Sequence, residues 1–431
     1  MASSDTLPKN HALESIAPSE RVFHWHTHAS LWFSLGVGLL VIQVGAYLVP
    51  AAGTRDAALA IVLGSILGAG LLAWTAKIGC DSGLTSAALM HRTYGSAFGR
   101  LPVLLNIAQL IGWTTFELVI MRDGTAAIAA QSFGIAADGM AVRLLTTVLW
   151  GGVLLLLLAG SMITLVRQTI SRFALPLVIA SLLWLTYQFG TQLIARDLNA
   201  FWVRAGDGSM GLPAAMDLVV AMPVSWLPLV ADYARHGRSG KGAMGGTFFG
   251  YLFANIWCYA LGVVVASVSH PNVDMVNALL LAQGGLIALS LILVDEIDNA
   301  YGDVYSSAVC THSLRPAVSI RQLGMGLAVL CTLLALVLPM RSIEPFLLTL
   351  SSVFVPLFGV ILGSSQGQVG QTQNAKVRWS AAVLWIAGIA VFQGLSAWAP
   401  QWGATLPTLV LTFACARALQ MARPLTTQSA A

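Results

Sequence analysis

LIALSLILVDEIDNAYGDVYSS, Leu286 to Ser307, opens as a run fit for lipid and then places Asp295, Glu296, Asp298 and Asp303 inside nine residues. In a chain where 9% of residues are charged, acid at that density within an apolar run governs how the rest is read. At ~100° per residue, Asp295, Glu296, Asp298, Asn299, Gly302, Asp303 and Ser306 share one side of a helix. Leu293, Ile297, Ala300, Tyr301, Val304 and Ala308 share the other. A charge near the middle of a bilayer costs about 2.5–3.5 kcal/mol or more unless it faces protein, water or a cation. The acidic stripe is therefore expected to look into a helix bundle. Two plainer readings compete with this one. The acids could sit just past a shorter span, in the interface, or one or two could be structural, paired with a base or sharing a proton. The apolar run resumes at Val304–Val309 before the basic Thr311–Pro316 segment, which puts the better membrane exit after the acids.

The whole chain fits that reading. Of its 431 residues 57% are hydrophobic, its mean hydropathy is +0.78, and runs long enough to cross a bilayer recur along nearly its full length. The expectation is an all-α polytopic membrane protein of about twelve transmembrane helices, with function inside the bundle. A net charge of +4 gives no reason to expect a nucleic-acid partner. The five cysteines, Cys80, Cys258, Cys310, Cys331 and Cys415, lack a paired or metal-binding spacing and read as small buried residues. The N-terminus lacks the pattern of a removable signal peptide, because its first apolar run continues as a span.

Taken in order, residues 1–28 form a polar tail, in which His24, His26 and His28 read as interfacial, next to Trp25, rather than as metal ligands. Spans follow at Ala29–Val49, Ala57–Ile78, Leu101–Met121 and somewhat beyond, Val142–Ile163 and Phe173–Thr191. A second group runs Ala214–Tyr233, Ala243–Val268, Leu286–Ala308, Gln322–Pro339 and Pro345–Ser364. Trp379–Trp398 and Gly403–Leu419 complete the set, while Val276–Gln283 is too short to cross and reads as an outer helix. The organisation expected is a first five-helix repeat over 29–193, a second, inverted one over 214–364, two additional helices over 379–420 and a tail over 421–431. With the N-terminus inside, sixteen of the 22 lysines and arginines fall on the cytoplasmic face, so both termini are expected in the cytoplasm of a cell-membrane protein.

Two spans carry residues that break helices. The first holds Gly36, Gly38, Gln43 and Gly45, and the sixth holds Pro223 and Pro228 with Ser225 and Trp226 between them. Proline removes an amide donor and clashes with the preceding turn. Unwound backbone persists at membrane depth only where it is buried or lines a cavity. Interrupted helices at matching positions of two halves, here five spans apart, point to a secondary transporter of inverted repeats with a site at the midplane. The third span adds Gln109, Trp113 and Glu117, each four residues apart and so stacked on one face. An aromatic wall between an amide and a carboxylate suits a flat heterocycle, which offers a ring face to stack and an edge to hydrogen-bond.

Several stretches carry a resemblance to a known family: ERVFHWHTHASLWFSLGV from Glu20, GLTSAALMHRTYG from Gly83, QLIGW from Gln109, PLVADYARHG from Pro228 and DNAYGDVYSS from Asp298. In this order and on these spans they resemble the nucleobase–cation symporter family, the purine, cytosine, allantoin and hydantoin permeases, and within it the hydroxymethylpyrimidine-transporter branch. The resemblance implies two inverted five-helix repeats plus two helices and alternating access coupled to Na⁺ or H⁺. It places Trp113 against the substrate ring, Glu117 one turn on, and Asp303 where relatives carry an asparagine that bonds substrate. At the sixth-span aromatic position the resemblance aligns Pro223, while Trp226 is the natural candidate. Sodium-coupled relatives use first-span carbonyls and eighth-span hydroxyls; Ile297 and Asp298 stand at the hydroxyl positions here, which puts sodium coordination of that kind in doubt.

The function expected is import of a small planar heterocycle, a pyrimidine such as hydroxymethylpyrimidine or cytosine, driven by a gradient of H⁺ or Na⁺ and using no cofactor. Trp113 and Trp226 would stack on the ring, Glu117, Gln43, Asp303 and Gln109 would meet its edge, and Asp298 and Asp295 would carry the coupling charge. A purine, allantoin or hydantoin permease is the alternative. An amino-acid transporter, a channel and a membrane-embedded enzyme fit less well, since no second cluster of His, Cys or acid complements the first. Beyond lipid and the heterocycle no partner is indicated, and the oligomeric state is left open.

Overall fold

A computed structural model describes residues 11–161, 175–270, 273–338, 343–364 and 375–422. The expected tail through residue 10, the span ends at 162–163, 173–174 and 339, and the segment 423–431 lie outside the described residues. The rest is helical: α1 (Trp25–Ser34), α2 (Leu39–Ala52), α3 (Thr54–Ser82), α4 (Ser86–Tyr94), α5 (Arg100–Phe133), α6 (Met140–Leu158), α7 (Leu175–Ile194) and α8 (Leu198–Val203) come first. They are followed by α9 (Leu212–Ala234), α10 (Gly240–Val268), α11 (Met275–Leu280), α12 (Gly285–Leu314), α13 (Ile320–Val337), α14 (Ile343–Ser364), α15 (Trp379–Trp398) and α16 (Thr405–Met421).

Among the described residues nine helices are long and apolar enough to cross a bilayer singly, and α1 with α2 makes a tenth crossing. α12 has the length, at 30 residues, but carries the acids, and α16 has 17 residues; with these two the chain reaches the expected twelve. The short outer helix anticipated before the eighth span is α11. Burial separates centre from periphery. The apolar stretches of α9 and α14 are 83% and 78% buried, against 22–28% for α6, α7, α13 and α15, whose outer faces are left to lipid.

The first span is broken as its glycines predict. α1 ends at Ser34, α2 begins at Leu39, and the two are bent by 61°. α2 is held tightly against α10: a Cβ on Gly262 would lie 2.0 Å from the carbonyl oxygen of Ile42, and one on Gly45 would lie 2.2 Å from that of Tyr259. Only glycine lets the two backbones meet in this way.

The sixth span corrects the expectation of a second break. α9 runs unbroken from Leu212 to Ala234 with Pro223 and Pro228 inside it. Neighbouring side chains bond its backbone carbonyls, which is how membrane helices tolerate proline. The Val219 carbonyl, four residues before Pro223, accepts from the Tyr259 hydroxyl at 3.2 Å. The Ser225 carbonyl accepts from Gln109 Nε2 at 3.0 Å, and the Pro228 carbonyl from Asn106 Nδ2 at 3.0 Å. Tyr259→Phe leaves the Val219 oxygen buried without its donor, and is expected to destabilise the protein by about 1–3 kcal/mol. A lowered melting temperature in detergent would register that loss; an unchanged one would mean that another donor fills in.

Candidate functional site

Trp113 and Glu117 on α5, Trp226 and Ser225 on α9, and Glu296, Asn299 and Asp303 on α12 line one cavity with Val37 and Gly38 of the break. The room it leaves to a water-sized molecule is about 20 Å³. Trp113 is 6% exposed and Glu117 4%, so both side chains are buried within the bundle. Trp113 meets Phe346 edge-on at 5.2 Å between ring centroids and Phe116 at 6.2 Å. Trp226 meets Trp32 edge-on at 6.0 Å. Pro223 instead packs toward Gly68 of α3, so the aromatic that α9 brings to the cavity is Trp226.

The acidic stripe of α12 divides in two. Glu296, Asn299 and Asp303, spaced three and four apart, face the cavity. Glu296 accepts a hydrogen bond from the Leu39 amide, at the buried N-terminus of α2. Asn299 Nδ2 donates to the Val37 carbonyl at 3.2 Å and to Glu296 Oε2 at 3.2 Å. The loose ends of the broken span are thus tied by the eighth. Asp295 and Asp298 turn instead toward α1, where Ser34 Oγ donates to Asp295 Oδ1 at 3.0 Å. Asp298 is 6% exposed, and neither of its oxygens has a hydrogen-bond partner. Among the described residues no group of three or more His, Cys, Asp or Glu could hold a metal ion.

Two residues expected at the cavity lie elsewhere. Gln109, one turn from Trp113, is level with the backbone of α9, and its amide is committed to Asn106 at 2.9 Å and to the Ser225 carbonyl. Gln43 lies farther along α2 and lines a separate cavity with Tyr47, Arg204 and His270. The sequence reading in turn passed over Glu296 and Asn299 as site residues, although their place on the stripe with Asp303 was the available signal.

At one end of the bundle the quoted motifs meet. Asp232, fully buried, accepts from the Ser86 amide at the start of α4 at 2.9 Å and from the Ser306 hydroxyl of α12. The Phe23 amide donates to the His236 carbonyl at 2.8 Å, and the Arg238 amide to the Phe23 carbonyl at 2.9 Å. The histidine tail is accordingly no solvated arm throughout. Because α1 starts at Trp25, His28 falls one turn inside it and is fully buried, edge-on to Phe23. His236, in the α9–α10 connection, is held neutral down to about 4 from an ordinary 6.5, chiefly by burial and then by the Arg235 charge. An unfolded chain would protonate it at 6.5, so the folded state loses stability as pH falls from 6.5 toward 4. His236→Gln is expected to flatten that part of the pH–melting profile; an unaltered slope would assign it to other groups.

The broken first span, the acid-bearing eighth and a cavity between them are the architecture of a secondary transporter. Residues 15–414 match the model of the permease family for cytosine and purines, uracil, thiamine and allantoin, and the chain belongs to that family. The fold is shared with Mhp1, a nucleobase-cation-symport-1 family transporter solved closed with bromovinylhydantoin bound. That match has a TM-score of 0.79 at 14% identity, over 96% of this chain and 94% of the other. Mhp1 facing inward matches with a TM-score of 0.76 at 15% identity, over 96% and 92% of the two chains. A Na⁺-coupled sialic acid symporter in an outward-open, substrate-bound state matches at 0.62 and 10% identity, over 93% and 89%. No curated protein sequence matches the chain.

Proposed function

We propose that the protein imports a small planar heterocycle, most readily a pyrimidine such as hydroxymethylpyrimidine or cytosine, by cation symport across the cell membrane. The observation that carries this reading is the cavity in which Trp113 and Trp226 adjoin three carboxylic acids beside the break of the first span. Trp113 stacks on the ring; Glu117 and Asp303 take its edge hydrogens, a carboxylate being an acceptor from ring and exocyclic N–H groups. Asp298 and Asp295 carry the coupling charge. A proton is favoured over Na⁺, because the Val37 carbonyl at the break already accepts a side-chain donor, Asn299 Nδ2, and a carbonyl so occupied is a poor ligand for a metal cation. Two inverted five-span repeats and cytoplasmic termini complete the reading, supported by the bias of basic residues.

The test is ligand-induced stabilisation of purified protein with hydroxymethylpyrimidine, cytosine, uracil, hypoxanthine, allantoin and thiamine, with and without Na⁺. A ligand at a hundred times its Kd adds about 2.7 kcal/mol. Stabilisation by a pyrimidine, indifferent to Na⁺, is expected. Stabilisation by hypoxanthine or allantoin alone would move the substrate to the purine or hydantoin side, and strict dependence on Na⁺ would overturn the proton.

A further inference from the structure

Glu117 of α5 and Glu296 of α12 line the same cavity and hydrogen-bond to each other. Two carboxylates have no hydrogen to share, so a contact of this kind holds one proton between the two groups. The neighbours on either side tell which member keeps it. Glu296 accepts from the Leu39 amide and from Asn299 Nδ2 at 3.2 Å, donors that suit an ionised carboxylate. Glu117 Oε2 is buried and meets no donor of the protein. Glu117 is therefore the carboxylic acid of the pair and Glu296 its carboxylate.

The other half of the arrangement is the start of α2. The amides of Leu40 and Val41, in its first turn, have no acceptor, and both residues line the cavity with Glu117. Free amides at the N-terminus of a 14-residue helix are a seat for an acceptor or an anion. The Trp113 indole N–H, also in the lining, is buried without a partner. The charges that bear on the acid pair come from α12: Asp303 and Asp298 on Glu117, and Asp295 and Asp298 on Glu296. α10 adds the Cys258 thiol beside Glu296, and the lining residues of α9 and of the first-span break carry no ionisable side chain.

We infer that Glu117 and Glu296 make substrate binding conditional on a proton: with one proton between them Glu117 is held on Glu296 and the first-turn amides of α2 are free for the substrate, and without it Glu117 turns to those amides and closes the seat. When the proton leaves the Glu117 hydroxyl, two carboxylates are left face to face in a buried site, which is unfavourable. The Leu40 and Val41 amides, at the positive end of α2, relieve that repulsion by taking Glu117. The acceptor edge of a substrate then finds them occupied. With the proton in place the acid still offers its carbonyl oxygen to a substrate N–H. Substrate and proton thus bind together or not at all, and each favours the other by the same factor. Asp298 keeps the coupling role given above; the glutamate pair is the point at which the substrate senses the proton. This rests on the cavity being the substrate site and adds how proton and substrate are tied within it.

The experiment joins infrared spectroscopy of the purified full-length protein to equilibrium binding of cytosine and hydroxymethylpyrimidine across pH. In the wild type a carboxylic-acid carbonyl band is expected that Glu117→Gln removes and that Glu344→Gln, outside the cavity, leaves in place. Above the pH at which that band fades, the Kd of the wild type is expected to rise about tenfold per unit, one proton being lost for each site closed. Glu117→Gln cannot ionise, so its Kd should stay level over the same range. Should Glu117→Gln fail to fold, Glu296→Gln replaces it, since it deprives the proton of its acceptor and should shift the same band. Absence of the band, or a band that persists to the highest pH the fold survives, overturns the inference and leaves a heterocycle carrier intact. So does a Kd that ignores the fading of the band, or one that climbs as steeply in folded Glu117→Gln as in the wild type. Failure of both probes to bind at any pH removes the site reading, and this coupling with it.

Discussion

Asp298→Asn is expected to abolish accumulation against a gradient while leaving exchange of substrate across the membrane. An inward gradient of one pH unit can hold roughly a tenfold excess of a substrate carried with one proton, since each unit is worth about 1.36 kcal/mol. The variant should stop at equal concentrations. The physical ground is the position of Asp298. It is buried at 6% exposure on the face of α12 turned to α1, beside Asp295, with neither oxygen bonded to a donor. An ionised carboxylate in that condition is costly unless a proton or a cation joins it. Asparagine keeps the shape and can neither take up nor release the proton, so the cycle runs without its coupled step. Exchange needs no net movement of charge and survives. Concentrative uptake at the wild-type level would remove Asp298 from the mechanism.

Trp113→Ala is expected to weaken substrate binding by about 10–100-fold, the 1–3 kcal/mol that alanine substitution finds for base–aromatic stacking. Trp113 lines the cavity and is held by ring contacts with Phe346 and Phe116, so the ring does not have to be ordered when substrate arrives. Truncation would also loosen that aromatic cluster. Trp113→Phe separates the two effects: it keeps a stacking face and should recover most of the affinity, whereas lost packing alone would lower the melting temperature without a matching loss of binding. Wild-type affinity in a folded Trp113→Ala variant would place the substrate elsewhere.

The fold was legible because its strongest signals are local. Apolar runs marked the spans, and Gly36 and Gly38 marked the break between α1 and α2 that the structure shows as a 61° bend. Pro223 and Pro228 misled, since a proline shows the donor it lacks and says nothing of the partners around it. Tyr259 is 36 residues from Pro223 in sequence, and only the folded bundle brings its hydroxyl to the Val219 carbonyl. The site was half legible for a related reason. The helical stripe gathered the acids of α12, but a stripe does not reveal which acid meets which neighbour. The packing of α1 and α2 against α12 sends Asp295 to Ser34 and Glu296 to Leu39. Gln109 and Gln43 had helical spacing on their side, yet depth along the bundle decides who reaches a cavity, and their depth depends on how α5 and α2 sit against their partners.

Whether the buried acids of α12 move protons with the cargo is settled most directly in weakly buffered, Na⁺-free proteoliposomes by recording external pH as a pyrimidine is added outside. The account predicts alkalinisation of the medium in step with uptake, absent from the Asp298→Asn variant. Uptake without any pH change, or uptake that begins only when Na⁺ is supplied, would contradict it.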